Sequence, residues 1–475
     1  MRIGRALAAS VALIGTAVGA FGGPADASAT SAGTGGCLTV SRHRPDARVA
    51  IVVKHAGEAL VDLRAAAPGT DWAAPNAESV VVSISVDGKY TTDLVVTGAA
   101  ALHRQLGLGA IGAGRHVLGV HFASERTPAT ADNARVTIDS LHVTTYTRHD
   151  PQYQALRFAP IVYGRNLAET GDQYQNSMDD TPLIAWHERI PASTPGHFVM
   201  LYSYVWSNED GGTGAVPPAL MARWGRTTDI EWVYAVELDD RGERVPGRDA
   251  YQAGDHQTVP FAGRYEGDHA LLQTCTSNNT MCDQVSDPMR FFLSAQQTLP
   301  AGQPREHMMD VNPWTYAIMA KEMVREGKIE APGPTTPATF DVSDERNYLY
   351  AVVDKTTQGA NDGDDSWIGV ALGVRLTSGE TVYLSNHGVP LGSIQRDDPA
   401  ATAIELPPGA TVDEIAEVTA YRTVVGTDSG APVHVTHLGR GFLLDRRYRP
   451  GPGVLDWTGD VELTAAAPSA VLWHR

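Results

Sequence analysis

Residues 80–96 read VVVSISVDGKYTTDLVV. Val80, Val82, Ile84 and Val86 alternate with Val81, Ser83 and Ser85, the period-2 pattern of a strand with one face toward a core. Asp87-Gly88 then supplies two residues that tolerate the positive φ of a tight hairpin turn, and residues 90–96 carry the return strand. The alternation recurs at Leu118, Val120 and Phe122, at Val136 and Ile138, and again at Leu141 and Val143. Short strands with little helical periodicity predict an antiparallel β-sandwich over residues 37–150.

Outward from that hairpin the chain stays strand-like. A second segment, residues 151–330, opens at residues 153–163 and is rich in aromatic and β-branched residues. It ends in the one helix the pattern supports, about residues 312–327. Asn312 is the N-cap candidate, Pro313 suits the first turn and Gly327 suits the position after the last. Tyr316, Met319, Ala320, Met323 and Val324 fall on one helical face, a core stripe rather than a ligand box. Pro and Gly punctuate residues 331–337 as a linker, and residues 338–475 form a third β-rich segment. There Trp367–Leu376, a Ser378-Gly379 turn and residues 381–384 read as a second hairpin. The expected fold is mostly β: multi-domain antiparallel β-sandwiches with one notable helix.

A length of 475 residues fits two or three domains. Arg2 and Arg5 precede an apolar run over residues 6–21, with small-residue cleavage sites at Ala25-Asp26-Ala27 or Ala27-Ser28-Ala29. Residues 1–27 therefore read as a secretory signal peptide and residues 28–36 as a small-residue linker. The expected protein is secreted and extracellular, without a transmembrane anchor. A net charge of −18 with no Lys/Arg cluster argues against nucleic acid as a partner. Of three cysteines, Cys275 and Cys282 bracket a short polar loop. In an oxidising compartment they are expected to pair, closing a loop worth roughly 2.5 kcal/mol in the chain-entropy model. Cys37 has no local partner.

The chemistry concentrates in residues 204–236, YVWSNEDGGTGAVPPALMARWGRTTDIEWVYAV. Glu209 and Asp210 sit in a glycine turn, and Asp229 and Glu231 are two apart, which on a strand places both on one face. Carboxylates that close repel, and call for a metal, an arginine or water; Arg223 and Arg226 are near in sequence. Three readings follow. The acids pair with arginines on an exposed strand face, or Glu209, Asp210, Asp229 and Glu231 hold Ca²⁺ or Mg²⁺. Alternatively, Asp210 faces Asp229 across a groove as a glycosidic acid pair. Two Gly-Asp-His triplets, Gly254-Asp255-His256 and Gly267-Asp268-His269, flank Arg264, Tyr265 and Glu266. His256, Asp268 and His269 join Asp210, Asp229 and Glu231 as catalytic candidates. His187-Glu188 lacks the second histidine of a zinc helix. Thr427-Asp428-Ser429-Gly430 resembles the nucleophile loop of trypsin-like proteases. It has Thr427 where that loop has glycine, and reads as a turn. Asn361-Asp362-Gly363-Asp364-Asp365 lacks the spaced ligands of an EF-hand and reads as a solvated turn.

The heptapeptide Gly225-Arg226-Thr227-Thr228-Asp229-Ile230-Glu231 resembles the Gly-His-Arg-His-Asp-Trp-Glu element of necrosis-inducing, NLP-type secreted proteins. Phe158-Ala159-Pro160-Ile161-Val162-Tyr163 is similar to the start of Vps62-type domains. The resemblance implies a β-sandwich whose Asp and Glu help hold a divalent cation near a polar headgroup or sugar site. Gly225, Asp229 and Glu231 match; Arg226 and Thr228 replace histidines and Ile230 replaces the tryptophan. Residues 136–143, the closing strand of the 37–150 sandwich, are similar to the last strand of some carbohydrate-binding sandwiches. The leading expectation is a protein that recognises or processes an extracellular glycan, as a polysaccharide hydrolase or lyase if it is an enzyme. Its aromatic and carboxylate-rich central run suits sugars. The alternatives are a toxin-like binder of a membrane headgroup and a structural envelope protein.

Overall fold

A computed structural model describes residues 37–131, 134–165, 180–209, 216–330, 341–357, 366–397 and 399–475. The signal peptide, both linkers, Asp210 and the 361–365 turn lie outside the described residues. The fold is mostly β, built from several antiparallel sheets with one clear helical region. Two compact units, each discontinuous in sequence, make up the chain. The first comprises residues up to Asp71, Glu78–Trp206 and Ile230–Thr298; the second comprises Trp72–Ala77, Ser207–Asp229 and Leu299–Arg475.

The hairpin at residues 80–96 forms as its pattern requires. Val80 pairs with Val96 and Val86 with Lys89, while Asp87 and Gly88 turn at φ 51° and 82°. These strands complete a layer ordered Asp46–Val53, Gly114–Phe122, Val80–Val86, Lys89–Val96. It faces a second layer ordered Leu38–Ser41, Arg135–Tyr146, Gly57–Ala66, Leu102–Ile111. The alternation predicts one wet face, yet Val81 is fully buried and Ser83 keeps only 8% of its surface exposed. The reason is that another segment of the same unit covers the hairpin. The Arg290 amide donates to Asp93 Oδ2 at 3.1 Å and the Phe292 amide to Thr92 Oγ1 at 2.9 Å.

That segment belongs to the unit's second pair of sheets. One runs Gln257–Pro260, Ala250–Ala253, Asp229–Leu238, Phe198–Trp206, Pro182–Pro191, Gln297–Thr298; the other runs Tyr265–Glu266, His269–Thr274, Ile161–Tyr163, Arg290–Phe291. The layers are not wholly antiparallel, since Gln297–Thr298 joins Pro182–Pro191, and Ile161–Tyr163 joins His269–Thr274, in parallel. Residues 153–157, expected to open a strand-rich segment, instead form a short helix, Tyr153–Arg157. One continuous core contains Val82, Leu106 and Phe122 together with Tyr204, Val236, Leu272 and Phe292. Gly107 permits this union: its amide donates to the Phe292 carbonyl at 2.7 Å, and a Cβ there would lie 2.6 Å from the Phe292 ring.

The second unit contains its own sandwich. Its layers are Ala400–Glu405, Tyr348–Thr357, Val433–Phe442, Leu455–Leu463 and Val382–Leu384, Trp367–Leu376, Ile415–Val425, Ser469–His474. The second predicted hairpin is present, Trp367–Leu376 pairing with Val382–Leu384. The helix runs Trp314–Arg325, and Gly327 follows it at φ 69°. Its cap differs from the expectation. Pro313 takes the N-cap position, and the Asn312 side chain donates from Nδ2 to the Met308 carbonyl, the short helix His307–Asp310 having claimed it first. Tyr316, Met319, Ala320 and Met323 are buried, with the Tyr316 ring against Tyr350 and Phe442 at 5.5 and 5.9 Å. A further helix, Pro217–Trp224, lies outside the sequence expectations; Thr402 of Ala400–Glu405 donates to its Ala222 carbonyl at 2.6 Å.

Candidate functional site

The strand Asp229–Leu238 carries Glu231, and its neighbour Ala250–Ala253 leads into the tight turn Gly254–His256. Asp255 and His256 are both left-handed, φ 54° and 55°, an uncommon pair for residues with side chains. The turn brings the imidazole back over the sheet, with His256 Nε2 3.1 Å from Glu231 Oε1. Asn278 Nδ2 stands 3.2 Å from the same nitrogen. It is presented by the loop that the Cys275–Cys282 disulfide closes, as expected from the sequence, with Cα atoms 5.9 Å apart. Glu231 is nearly buried while the His256 side chain keeps 56% of its surface exposed. The result is a surface carboxylate–imidazole–amide cluster able to hydrogen-bond hydroxyl groups or to pass a proton.

The other acidic candidates go elsewhere. Asp229 opens its strand and is buried at 1% exposure, so an exposed strand face does not describe it. Arg226, two residues past the helix Pro217–Trp224, is buried. It donates to Glu306 Oε1 at 3.1 Å and to the Thr228 carbonyl, and lies 3.7 Å from Glu209. Burial pushes the Glu306 carboxyl up, but Arg226, Arg396 and Arg440 outweigh it and hold it below its ordinary range. Gly225 is the left-handed cap of that helix, packed against the Thr402 backbone. Within the heptapeptide, then, Gly225 and Arg226 serve packing and a buried ion pair. Among the described residues no group of three or more His, Cys, Asp or Glu is placed to hold a metal ion.

The second triplet splits. Asp268 takes Arg157 Nε at 2.6 Å and lies 3.8 Å from Arg244, while His269 is buried, with Nδ1 2.9 Å from the Ala159 carbonyl and Nε2 3.4 Å from Glu58. Asp268 and His269 are thus held by structural partners, not turned toward Glu231. The protease-like loop is a turn: Asp428 pairs with both Arg422 terminal nitrogens and accepts from the Gly430 amide at 2.8 Å. His187 is tied to the Ala295 carbonyl at 2.7 Å and kept below its ordinary pKa by burial.

Phe261 and Tyr265, between the two triplets, join Tyr234 and Tyr251 in an aromatic cluster. The Phe261 ring meets Tyr265 at 5.0 Å, Tyr234 at 5.8 Å and Tyr251 at 6.5 Å. Buried Asp249 accepts from both the Tyr234 and the Tyr265 hydroxyls, the latter at 2.6 Å, and Arg244 stands 3.2 Å from the same carboxylate and 4.2 Å over the Tyr265 ring. Tyr265 is anchored at its hydroxyl yet 40% exposed. The available signal was three aromatics within residues 251–265; nothing local marks Asp249 as their anchor.

No protein-family model matches the chain, and no curated protein is similar to it. Among solved structures, the CBM36-1 domain of a multidomain xylanase from the hindgut metagenome of Trinervitermes trinervoides is 14% identical. It covers 25% of this chain and 93% of that domain at TM-score 0.18. A carbohydrate-binding module CBM36 in complex with calcium and xylotriose is 11% identical over 25% of this chain and 94% of that one, at TM-score 0.18. The C-terminal domain of EclA, a sugar-binding protein, is 16% identical over 23% and 79%, also at 0.18. Values this low assign neither a ligand nor a residue role to this chain.

Proposed function

We propose that this protein is an extracellular glycan-recognising protein whose ligand lies on the Phe261–Tyr265 edge beside the Glu231–His256–Asn278 cluster. The supporting observation is the anchored but exposed Tyr265 ring. A sugar presents C–H faces that pack on an aromatic ring and hydroxyls that need donors and acceptors nearby. Both kinds of partner occur along the hairpin formed by Ala250–Ala253 and Gln257–Pro260. Phe261 follows one end, and the turn bearing His256 joins the strands at the other, roughly 13 Å away along an extended chain. A Tyr265 held by Asp249 and Arg244 loses little freedom on binding, which favours affinity. Secretion accords with the leader-like N-terminal sequence and with a disulfide, which persists in oxidising compartments.

The test is a panel of polysaccharides against the mature protein, with and without calcium, read for binding and for reducing-end release. Tyr265→Ala is expected to weaken glycan binding about tenfold. Glu231→Gln reports on processing: loss of reducing-end release with binding retained assigns Glu231 to the chemistry. Equal binding by wild type and Tyr265→Ala refutes the Phe261–Tyr265 edge as the site. Binding to phospholipid vesicles, with none to any glycan, favours the headgroup reading instead.

A further inference from the structure

At one end of the first sandwich a cleft of about 740 Å³ opens between the 54–57 turn, the 110–113 turn and residues 147–153. Lys54, His55, Arg148 and His149 line it, all four exposed. Among the described residues none of the four has a carboxylate partner. The chain as a whole carries 55 Asp and Glu against 37 Lys and Arg, so four basic side chains gathered in one cleft run against its overall charge. The single carboxylate of the lining, Glu58, is buried and stands 3.4 Å from the His269 imidazole, so its charge faces inward. Tyr153, at the start of the short helix, adds one aromatic wall.

We propose that this cleft binds an anionic sugar, one bearing a uronate carboxylate or a sulfate ester. The inference rests on the glycan reading and adds a second site to it. An unpaired arginine presents a planar fork that matches a carboxylate or sulfate oxygen pair, and lysine adds a movable point charge. Against the field of a strongly acidic protein, four basic groups converging on one concavity select for an anion locally while the remaining surface repels it. The volume suits a short oligosaccharide rather than a single ion. Two permanent cations in a cleft and one aromatic wall fit a ligand with sparse charge and sugar faces, not a densely charged nucleic acid.

The test uses the mature full chain and three ligands: polygalacturonate, a sulfated glycan and a neutral xylan. Wild type, Lys54→Glu/Arg148→Glu and Tyr265→Ala are compared by titration calorimetry, with melting temperatures as a check on folding. Because both basic residues are exposed, the charge-reversed protein is expected to melt as wild type does. Its affinity for one of the two acidic glycans should fall about tenfold, with added salt producing a similar loss in wild type. Tyr265→Ala should leave that binding in place, and which acidic glycan responds tells carboxylate from sulfate. Acidic-glycan binding that survives charge reversal overturns the cleft while leaving glycan recognition intact. Absence of binding to all glycans overturns both.

Discussion

Asp93 and Asp287 show how much a single buried carboxylate can demand of its surroundings. Asp93 receives Tyr90 at 2.5 Å, Ser83 at 2.8 Å, Arg126 at 3.2 Å and the Arg290 amide at 3.1 Å, four donors that only partly offset the burial pushing its carboxyl above the ordinary range. Asp287 has less: Oδ1 accepts from the Met289 amide at 2.7 Å, while Oδ2 is buried with no hydrogen-bond partner among the described residues. Burial, with Asp93 adding repulsion, pushes the Asp287 carboxyl up to about 7. Its folded value therefore exceeds its ordinary 3.8, and the folded state holds the proton more tightly. The associated stability is fully present below about pH 4 and is lost as pH rises through 7. Asp287→Asn keeps the acceptor for Met289 and cannot ionise. The loss of stability between about pH 5 and about pH 8 should shrink by on the order of 1–2 kcal/mol in the variant. Thermal unfolding at the two pH values measures it, and superimposable profiles would rule out this role.

At the scale of elements, local chemistry decided what could be read in advance. The Asp87-Gly88 and Ser378-Gly379 turns, the end of the helix at Gly327 and the Cys275–Cys282 pairing are specified within a few residues, and each is found. The helix Pro217–Trp224 was hidden by Pro217 and Pro218, a pair that suits a first turn but also a loop. Its cap Gly225 was visible as a family-motif glycine, whereas its physical task is to adopt φ 64° with Thr402 behind it. A Cβ at Gly225 would stand 3.0 Å from the Thr402 amide nitrogen, and the left-handed backbone adds its own cost. Gly225→Val is expected to destabilise the second unit by about 2 kcal/mol or more, seen as a lower denaturant midpoint with unchanged slope. A midpoint equal to wild type would show that the loop relaxes freely. The candidate site divides in the same manner: Glu231 and His256 were named because both types carry chemistry, but their meeting depends on two left-handed residues that no local pattern announces.

For the whole molecule, the strand pattern at residues 80–96 marks one face of the 37–150 sandwich. What it could not convey is the second face, because the partner lies about two hundred residues away: Thr92 with Phe292, Asp93 with Arg290, Tyr90 with the Pro288 carbonyl. Gly107 admits Phe292, Arg104 donates to the Pro182 carbonyl at 3.2 Å, and His269 reaches Glu58, so polar and apolar contacts alike tie the first unit's sheets into one core. A core shared in this way should open as one cooperative unit, since neither pair of sheets can separate without exposing Leu106, Phe292 and Leu293 and stranding the buried Asp93. Backbone amides of Val80–Val86 and of His269–Thr274 should therefore exchange with deuterium through the same opening, with free energies that agree. Gly107→Val, which drives side-chain atoms into the Phe292 ring, should lower both by the same amount, on the order of 3 kcal/mol. A variant that frees Val80–Val86 while His269–Thr274 keeps its protection would mean that the two pairs of sheets are separable domains.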